Sequence, residues 1–257
     1  MKQDRFADHF SSGAENYSKF RPEYPDELFS YLSSLCPSGD LAWDCATGSG
    51  QAAVKLARHF RWVIATDASE KQIGNAGHHR RVLYEVALAD NAPIKTTSVD
   101  LITVAQALHW FPLEAFFSEA RRVLKRGGII AVWSYNLLSV SEDVDDVIKK
   151  LYQKIVGEYW PKERVLVEKG YKDIVLPFDE ILPPLFHMSA LWSFERLTGY
   201  LGTWSAVRRY REKRHADPVS LIHDELRDKW GEAGSVRSVI WPLTVKIGKK
   251  ISSSNPG

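Results

Sequence analysis

Asp44, Gly48 and Gly50 fall close together in the stretch Leu41-Ala-Trp-Asp-Cys-Ala-Thr-Gly-Ser-Gly-Gln51. Glycine has no Cβ, so the backbone there can approach a ligand that any side chain would push away. Ala53, Leu56, Ala57 and Phe60 follow at helical spacing. A helix opening at Gln51 aims its free N–H groups into the same turn. A second acid, Asp67, closes the apolar run Trp62-Val-Ile-Ala-Thr66. A carboxylate at such a strand end can accept hydrogen bonds from a ribose diol. Glycine turn and strand-end acid together read as a nucleoside site. His109 ends another β-branched run, where it serves either as a general base or as a satisfied structural histidine.

The elements needed to bring these residues together are legible as alternating strands and helices. Strands are expected over 41–43, 62–66, 82–86, 98–105 and 129–133. Helices are expected over 26–35, 51–60, 69–76 and 112–125, the third opened by a Ser69-x-x-Gln72 capping box. Alternation of this kind gives an α/β fold with a parallel sheet and right-handed crossovers. Ligands then bind outside the carboxyl ends of the strands. The chain has 257 residues, of which 44% are hydrophobic, enough for one large domain with a small lid. A formal net charge of +2 gives no global pull towards nucleic acid or an anionic membrane. Cys36 and Cys45 are the only cysteines, so neither a metal framework nor a disulfide framework is expected. The start lacks a signal-peptide apolar core and no stretch reaches membrane-span length, which predicts a cytoplasmic protein with no membrane partner.

Two nucleosides fit the turn. Gly48-Ser-Gly-Gln-Ala-Ala53 matches G-x-G-x-x-A, and Asp67 lies 19 residues after Gly48, as in a dinucleotide site. That reading makes the chain an NAD(P)-dependent oxidoreductase, although no Tyr-x-x-x-Lys pair for hydride chemistry is present. The other fit comes from Asp44-x-Ala46-x-Gly48-x-Gly50, which resembles the D-x-G-x-G-x-G motif of class I S-adenosylmethionine-dependent methyltransferases. Ala46 replaces the first glycine of that motif. Companion motifs follow in the order of that family. Phe10, Tyr17, Arg21, Pro22, Tyr24 and Pro25 resemble the start of its trans-aconitate methyltransferase-like, or type 11, subgroup. Ala89-Asp90 resembles the Ala-acid pair at the adenine edge, and Gln106-Ala-Leu-His109-Trp110 resembles the end of the fourth strand. Arg121-Arg-Val-Leu-Lys125-x-Gly127-Gly128 resembles the element that turns the chain back into the sheet.

The resemblance covers roughly residues 10–135. It implies a Rossmann-like, doubly wound, seven-stranded and mostly parallel sheet whose last strand is antiparallel, with a helical lid inserted. It implies S-adenosyl-L-methionine as cofactor, contacted by Asp44, Ala46, Thr47, Gly48, Gly50, Gln51, Asp67, Ala68, Ala89, Asp90 and Gln106. Tyr17 and Arg21 form either a cap on the methionine end or an arm packed on the domain.

Four regions are expected: a cap and first helix over 1–40, a cofactor core over 41–135, a lid with an added strand over 136–235, and a last strand and tail over 236–257. In the lid, Glu142 to Val156 reads as an amphipathic helix. Trp192-Ser-Phe-Glu-Arg-Leu-Thr-Gly-Tyr-Leu-Gly-Thr-Trp-Ser205 resembles a lid pattern of the subgroup. Trp110, Trp204, Arg208 and Tyr210 are candidates for the acceptor wall, or else aromatic core. The basic run Arg208–Arg214 is more simply a solvated helix face than a nucleic-acid surface. The chemistry expected is methyl transfer to a small molecule. An acceptor that is already anionic needs no base, and the resemblance points to O-methylation of a small carboxylic acid. A nucleoside-binding protein of the same fold without catalysis is the remaining alternative.

Overall fold

The computed structural model describes residues 22–232 and 234–251. Tyr17 and Arg21, and the cap expected around them, lie outside the described residues. Helix α1 (Asp26–Ser34) buries Leu28, Phe29 and Leu32 and leads to strand β1 (Leu41–Cys45). Helix α2 (Gln51–Leu56), strand β2 (Trp62–Asp67), helix α3 (Glu70–Gly74) and strand β3 (Val82–Val86) follow. Strand β4 (Val99–Ala105), helix α4 (Leu113–Val123) and strand β5 (Leu124–Tyr135) complete the core run. Ser69 caps α3 as expected, its hydroxyl accepting from the Gln72 N–H at 3.3 Å.

One sheet holds eight strands in the order β3-β2-β1-β4-β5-β8-β6, with strand β7 (Phe186–Ser193) also on β8. Strands β1 to β5 are mutually parallel and β8 (Val236–Lys249) runs antiparallel to β5. The sheet therefore has the expected doubly wound, mostly parallel form with one strand more than seven. The extra strand is the short β6 (Asp179–Ile181), paired to the far end of β8.

The central strands are buried on both faces, as their continuous apolar runs require. Alternation along the pleat divides them between two cores. Ala42, Leu101, Ala131 and Trp133 face α1 and α2, whereas Trp43, Ile102, Val104 and Val132 face α4. Strand β5 begins five residues earlier than the apolar run Ile129–Trp133 suggests. Its start is held by β4 at Leu124 and by the other end of the chain, where Gly127 N–H donates to Lys250 O and Lys250 N–H to Gly128 O.

The described residues after β5 and before β8 form a largely helical layer, most of it on the first of these cores, while Val167 and Tyr171 join the second. Helix α5 (Glu142–Lys149) passes into a π-helical turn at Lys150–Ile155, so the expected single helix over 142–156 changes pitch halfway. Helices α6 (Arg164–Glu168), α7 (Phe194–Gly202), α8 (Ser205–Arg214) and α9 (His223–Trp230) follow. Val147, Leu151, Leu197, Trp204, Leu226 and Trp230 join the same apolar cluster as Leu28 and Leu56, so this layer shares the core of the sheet. No helix of the described residues is long and apolar enough to cross a membrane.

Candidate functional site

The turn between β1 and α2 is built on left-handed backbone. Ala46, Gly48 and Gly50 have φ of 55°, 56° and 82°. This accounts for the glycine usually found where Ala46 stands: an L-residue there carries strain of order 1 kcal/mol. Thr47 N–H donates to Thr66 O at 2.9 Å and Gly50 N–H to Thr47 O at 3.0 Å, tying the turn to β2 and to itself. Asp67 closes the other side. Its two carboxylate oxygens accept from Gly48 N–H and Ser69 N–H, each at 2.9 Å.

Asp44 lies beneath this turn and is 1% exposed. One oxygen accepts from the Thr47 hydroxyl at 2.6 Å, the other from the Thr103 hydroxyl at 2.7 Å. Burial pushes its pKa up to about 6, against the lowering by those hydroxyls and by the Ala53 N–H, with nearby Asp67 adding repulsion. Gly50 is packed from below: a Cβ built on it would come within 2.4 Å of the Tyr84 hydroxyl. That hydroxyl donates to Gly77 O at 2.6 Å.

The carboxyl ends of the strands open into one cavity of about 800 Å³, within the size range of small-molecule sites. Of the cofactor residues expected from sequence, Ala46, Thr47, Gly48, Gln51, Asp67, Ala68, Ala89, Asp90 and Gln106 line it. Asp44 and Gly50 do not; they shape the turn from behind. Much of the wall is Gly, Ala and Ser, which leaves the backbone open to a ligand. The loop carrying Ala89 and Asp90 is pinned from α4. Glu119 accepts from Ala92 N–H at 2.9 Å, and Arg122 pairs with Glu119 at 2.7 Å while donating to Ile94 O at 2.8 Å. Gln106 follows β4 with φ 59°, and its side-chain amide donates to Tyr135 O at 3.3 Å.

Trp110 lines the cavity, but His109 beside it does not. The His109 Nδ1 lies 2.9 Å from the Tyr171 hydroxyl. Burial, helped by the Arg164 charge, lowers its pKa to about 4. The ring is neutral at pH 7 and far from the pKa that suits a base there. Trp204, Arg208 and Tyr210 are also absent from the wall. Trp204 is 5% exposed and packs on Tyr152, Trp160 and Tyr200. Tyr210 packs on Tyr159, and Arg208 reaches Glu212 at 3.8 Å. The basic run is largely answered within the lid: Arg211 pairs with Asp217 at 3.0 Å, and Arg214 donates to the Tyr159 hydroxyl at 2.9 Å. Residues that the sequence reading passed over include Tyr24, Tyr135, Leu88, Phe111 and Glu163. Tyr24 had a signal, since it sits in the Arg-Pro-x-Tyr-Pro motif; Glu163 had none.

Among the described residues no group of His, Cys, Asp and Glu is arranged to hold a metal. A methyltransferase-domain family model matches residues 43–132, the span from β1 to β5. A protein of Dictyostelium discoideum, provisionally named a methyltransferase, is 36% identical over 86% of each chain. An uncharacterised methyltransferase of Schizosaccharomyces pombe is 25% identical over 83% of this chain and 86% of its own. The solved structure of a provisionally named type II methyltransferase from Anaeromyxobacter dehalogenans superposes with a TM-score of 0.86. It is 41% identical, covering 90% of this chain and 99% of that one. The dinucleotide reading of the glycine turn thus gives way, and the chain belongs to the class I S-adenosylmethionine-dependent methyltransferases.

Proposed function

We propose that this protein holds S-adenosyl-L-methionine across the carboxyl ends of β1, β2 and β3 and passes its methyl group to a small molecule. The cavity is the observation that carries this reading: one continuous space joins the glycine turn and Asp67 to the aromatic wall at Trp110 and Tyr135. The residues present fit the cofactor. Asp67 offers oxygens at the ribose position, and Asp90 lies where an adenine amine would be met. Gly48 bears open space where a Cβ would stand. When bound, the cofactor supplies a sulfonium-activated methyl group whose leaving group is a neutral thioether.

The residues of this chain then need only to orient the acceptor and exclude water, and positioning by itself can supply much of the acceleration. Gln106, Trp110 and Tyr135 surround the region where an acceptor would meet the methyl group, and Glu163 reaches it from the helical layer. The neutral His109, held behind the wall, orients the turn that carries Trp110. O-methylation of a small carboxylic acid, the acceptor that the sequence resemblance implies, finds no Lys, Arg or His among the described lining residues.

Calorimetric titration with S-adenosylmethionine, S-adenosylhomocysteine and NAD(H) tests the cofactor. Binding of the first two with loss in Asp67→Ala is the expected result; binding of NAD(H) alone would refute it. Cofactor binding with no methylated product across a broad acceptor screen would favour the non-catalytic alternative.

A further inference from the structure

We infer that the acceptor is a flat, aromatic-sized small molecule carrying a protonated amine, selected by Glu163 at the mouth of the cavity. The inference rests on the methyl-transfer reading above and adds the charge class of the acceptor. Glu163 stands at the start of α6, and α6 packs against the short turn Leu108–Trp110. Its carboxylate therefore belongs to the Trp110–Tyr135 side of the cavity, across from the Asp67 side. Asp67 and Asp90 sit at the ends of β2 and just beyond β3, where the nucleoside lies in the reading above. Among the described lining residues Glu163 is left as the acidic group on the acceptor side.

Glu163 itself is exposed, and the backbone that carries it is held through its neighbour. Arg164, the next residue, is held three ways. Its Nε donates to the Tyr152 hydroxyl at 3.0 Å, an Nη donates to Asn136 Oδ1 at 3.3 Å, and its guanidinium lies 4.7 Å from the Trp160 ring centre. The Tyr152 hydroxyl in turn donates to Glu168 at 2.5 Å, tying the far end of α6 to the π-helical turn. These bonds draw the Arg164 charge away from the cavity, and neither Lys162 nor Arg164 lines it. Trp110 and Tyr135 line the same side of the space, and Tyr24 lines the cavity as well. Aromatic faces and a carboxylate favour a ring with a cationic tail, since ring faces attract cations and the carboxylate accepts charge-assisted hydrogen bonds. A carboxylate tail would meet Glu163 as a like charge.

Tyramine and 3-(4-hydroxyphenyl)propanoate make a matched pair of probes, differing mainly in the charge of the tail. Each is titrated calorimetrically into the full chain saturated with S-adenosylhomocysteine. Tyramine is expected to bind at least about ten-fold more tightly. Glu163→Gln should bring the pair to within about two-fold, and Glu163→Lys should invert it, with S-adenosylhomocysteine affinity unchanged in both. Tighter binding of the propanoate overturns the inference. A preference for tyramine that survives Glu163→Gln, or binding of neither probe, does the same. Failure of S-adenosylhomocysteine to bind the unaltered protein would instead sink the cofactor reading on which the inference stands.

Discussion

Gly48 and Gly50 are two residues apart, both left-handed, yet the structure assigns them different penalties for gaining a methyl group. At Gly48 (φ 56°) a Cβ meets nothing within 4 Å. Gly48→Ala then costs only the backbone strain of an L-residue in this region, roughly 1–2 kcal/mol. At Gly50 (φ 82°) the Cβ would lie 2.4 Å from the Tyr84 hydroxyl and 3.2 Å from two of its ring carbons. Tyr84 is the middle residue of β3 and its hydroxyl is bonded to Gly77 O, so it cannot simply swing away. Overpacking adds roughly 1–3 kcal/mol to the strain, for a total of roughly 2–5 kcal/mol. In a domain of this size each kcal/mol moves the melting temperature by about 2–4 °C. Gly50→Ala should therefore melt roughly 10 °C below the unaltered protein and Gly48→Ala roughly 4 °C below it, as read by calorimetry or urea unfolding. Ligand binding should show the opposite order, because Gly48 faces the cavity and its new methyl group would occupy cofactor space. A double-mutant cycle with Tyr84→Ala should return a coupling of about 1–3 kcal/mol for Gly50→Ala and close to none for Gly48→Ala. Equal destabilisation by the two alanines, or zero coupling at Gly50, would refute the account of this turn.

Asp44 has a folded-state pKa of about 6 against 3.8 unfolded, so the folded protein binds the extra proton. Its contribution is present in acid and is lost as pH rises through about 6, of order 3 kcal/mol across that window. Asp44→Asn should flatten that slope in urea titrations from pH 4 to 7. His109, lowered to about 4 from 6.5, acts with the other sign: the unfolded chain takes up the proton first, so stability falls as pH drops from about 6.5 towards 4. The two opposing slopes partly offset in the unaltered protein, and His109→Gln should expose the Asp44 slope. A histidine NMR titration should find the His109 ring still neutral at pH 5, and the pH–rate profile should carry no inflection from it. Arg122→Met should cost roughly 1–2 kcal/mol through the loss of its pairing with Glu119 and its bond to Ile94 O. It should also weaken cofactor binding through the Ala89–Asp90 loop, measurable by titration of the folded variant.

The strands and helices of the core were legible because each carries its own periodicity and each βα turn its own glycine or acid. Asp44, Gly48 and Asp67 are close in sequence or at a fixed spacing, so a linear motif places them. Asp44 shows the limit of that reading. The motif puts it at the cofactor, while its burial under Thr47 and Thr103 makes it the peg on which the turn hangs. Trp204 and Tyr210 could be read as pocket wall or as core, because aromatic residues serve both alike. Their contacts with Tyr152, Trp160 and Tyr159 come from residues 44 or more positions away, which no local pattern encodes. Glu163 was invisible for the same reason: a single acid in a polar turn acquires meaning only when α6 packs against Leu108–Trp110. The basic run at Arg208–Arg214 was answered by Asp217, Glu212 and Tyr159, two of them near in sequence and the third folded onto it.

Strand β8 runs for 14 residues, about 46 Å when extended, and serves two masters. Its second half closes the core sheet against β5, from Leu243 to Lys249, and its first half carries β7 from Val236 to Leu243. Leu243 is shared, paired with Tyr135 on one side and Phe186 on the other. As the chain is made, β1 to β5 are available early, but β5 keeps a bare edge until β8 has been added. The helical layer likewise has its β7 without a partner until that moment. Closure of the core sheet and of the β7 edge thus falls due together, once β8 has been made. A nonsense or frameshift change near residue 236 would leave two unpaired edges at once, a species predisposed to edge-to-edge aggregation rather than a protein lacking a tail.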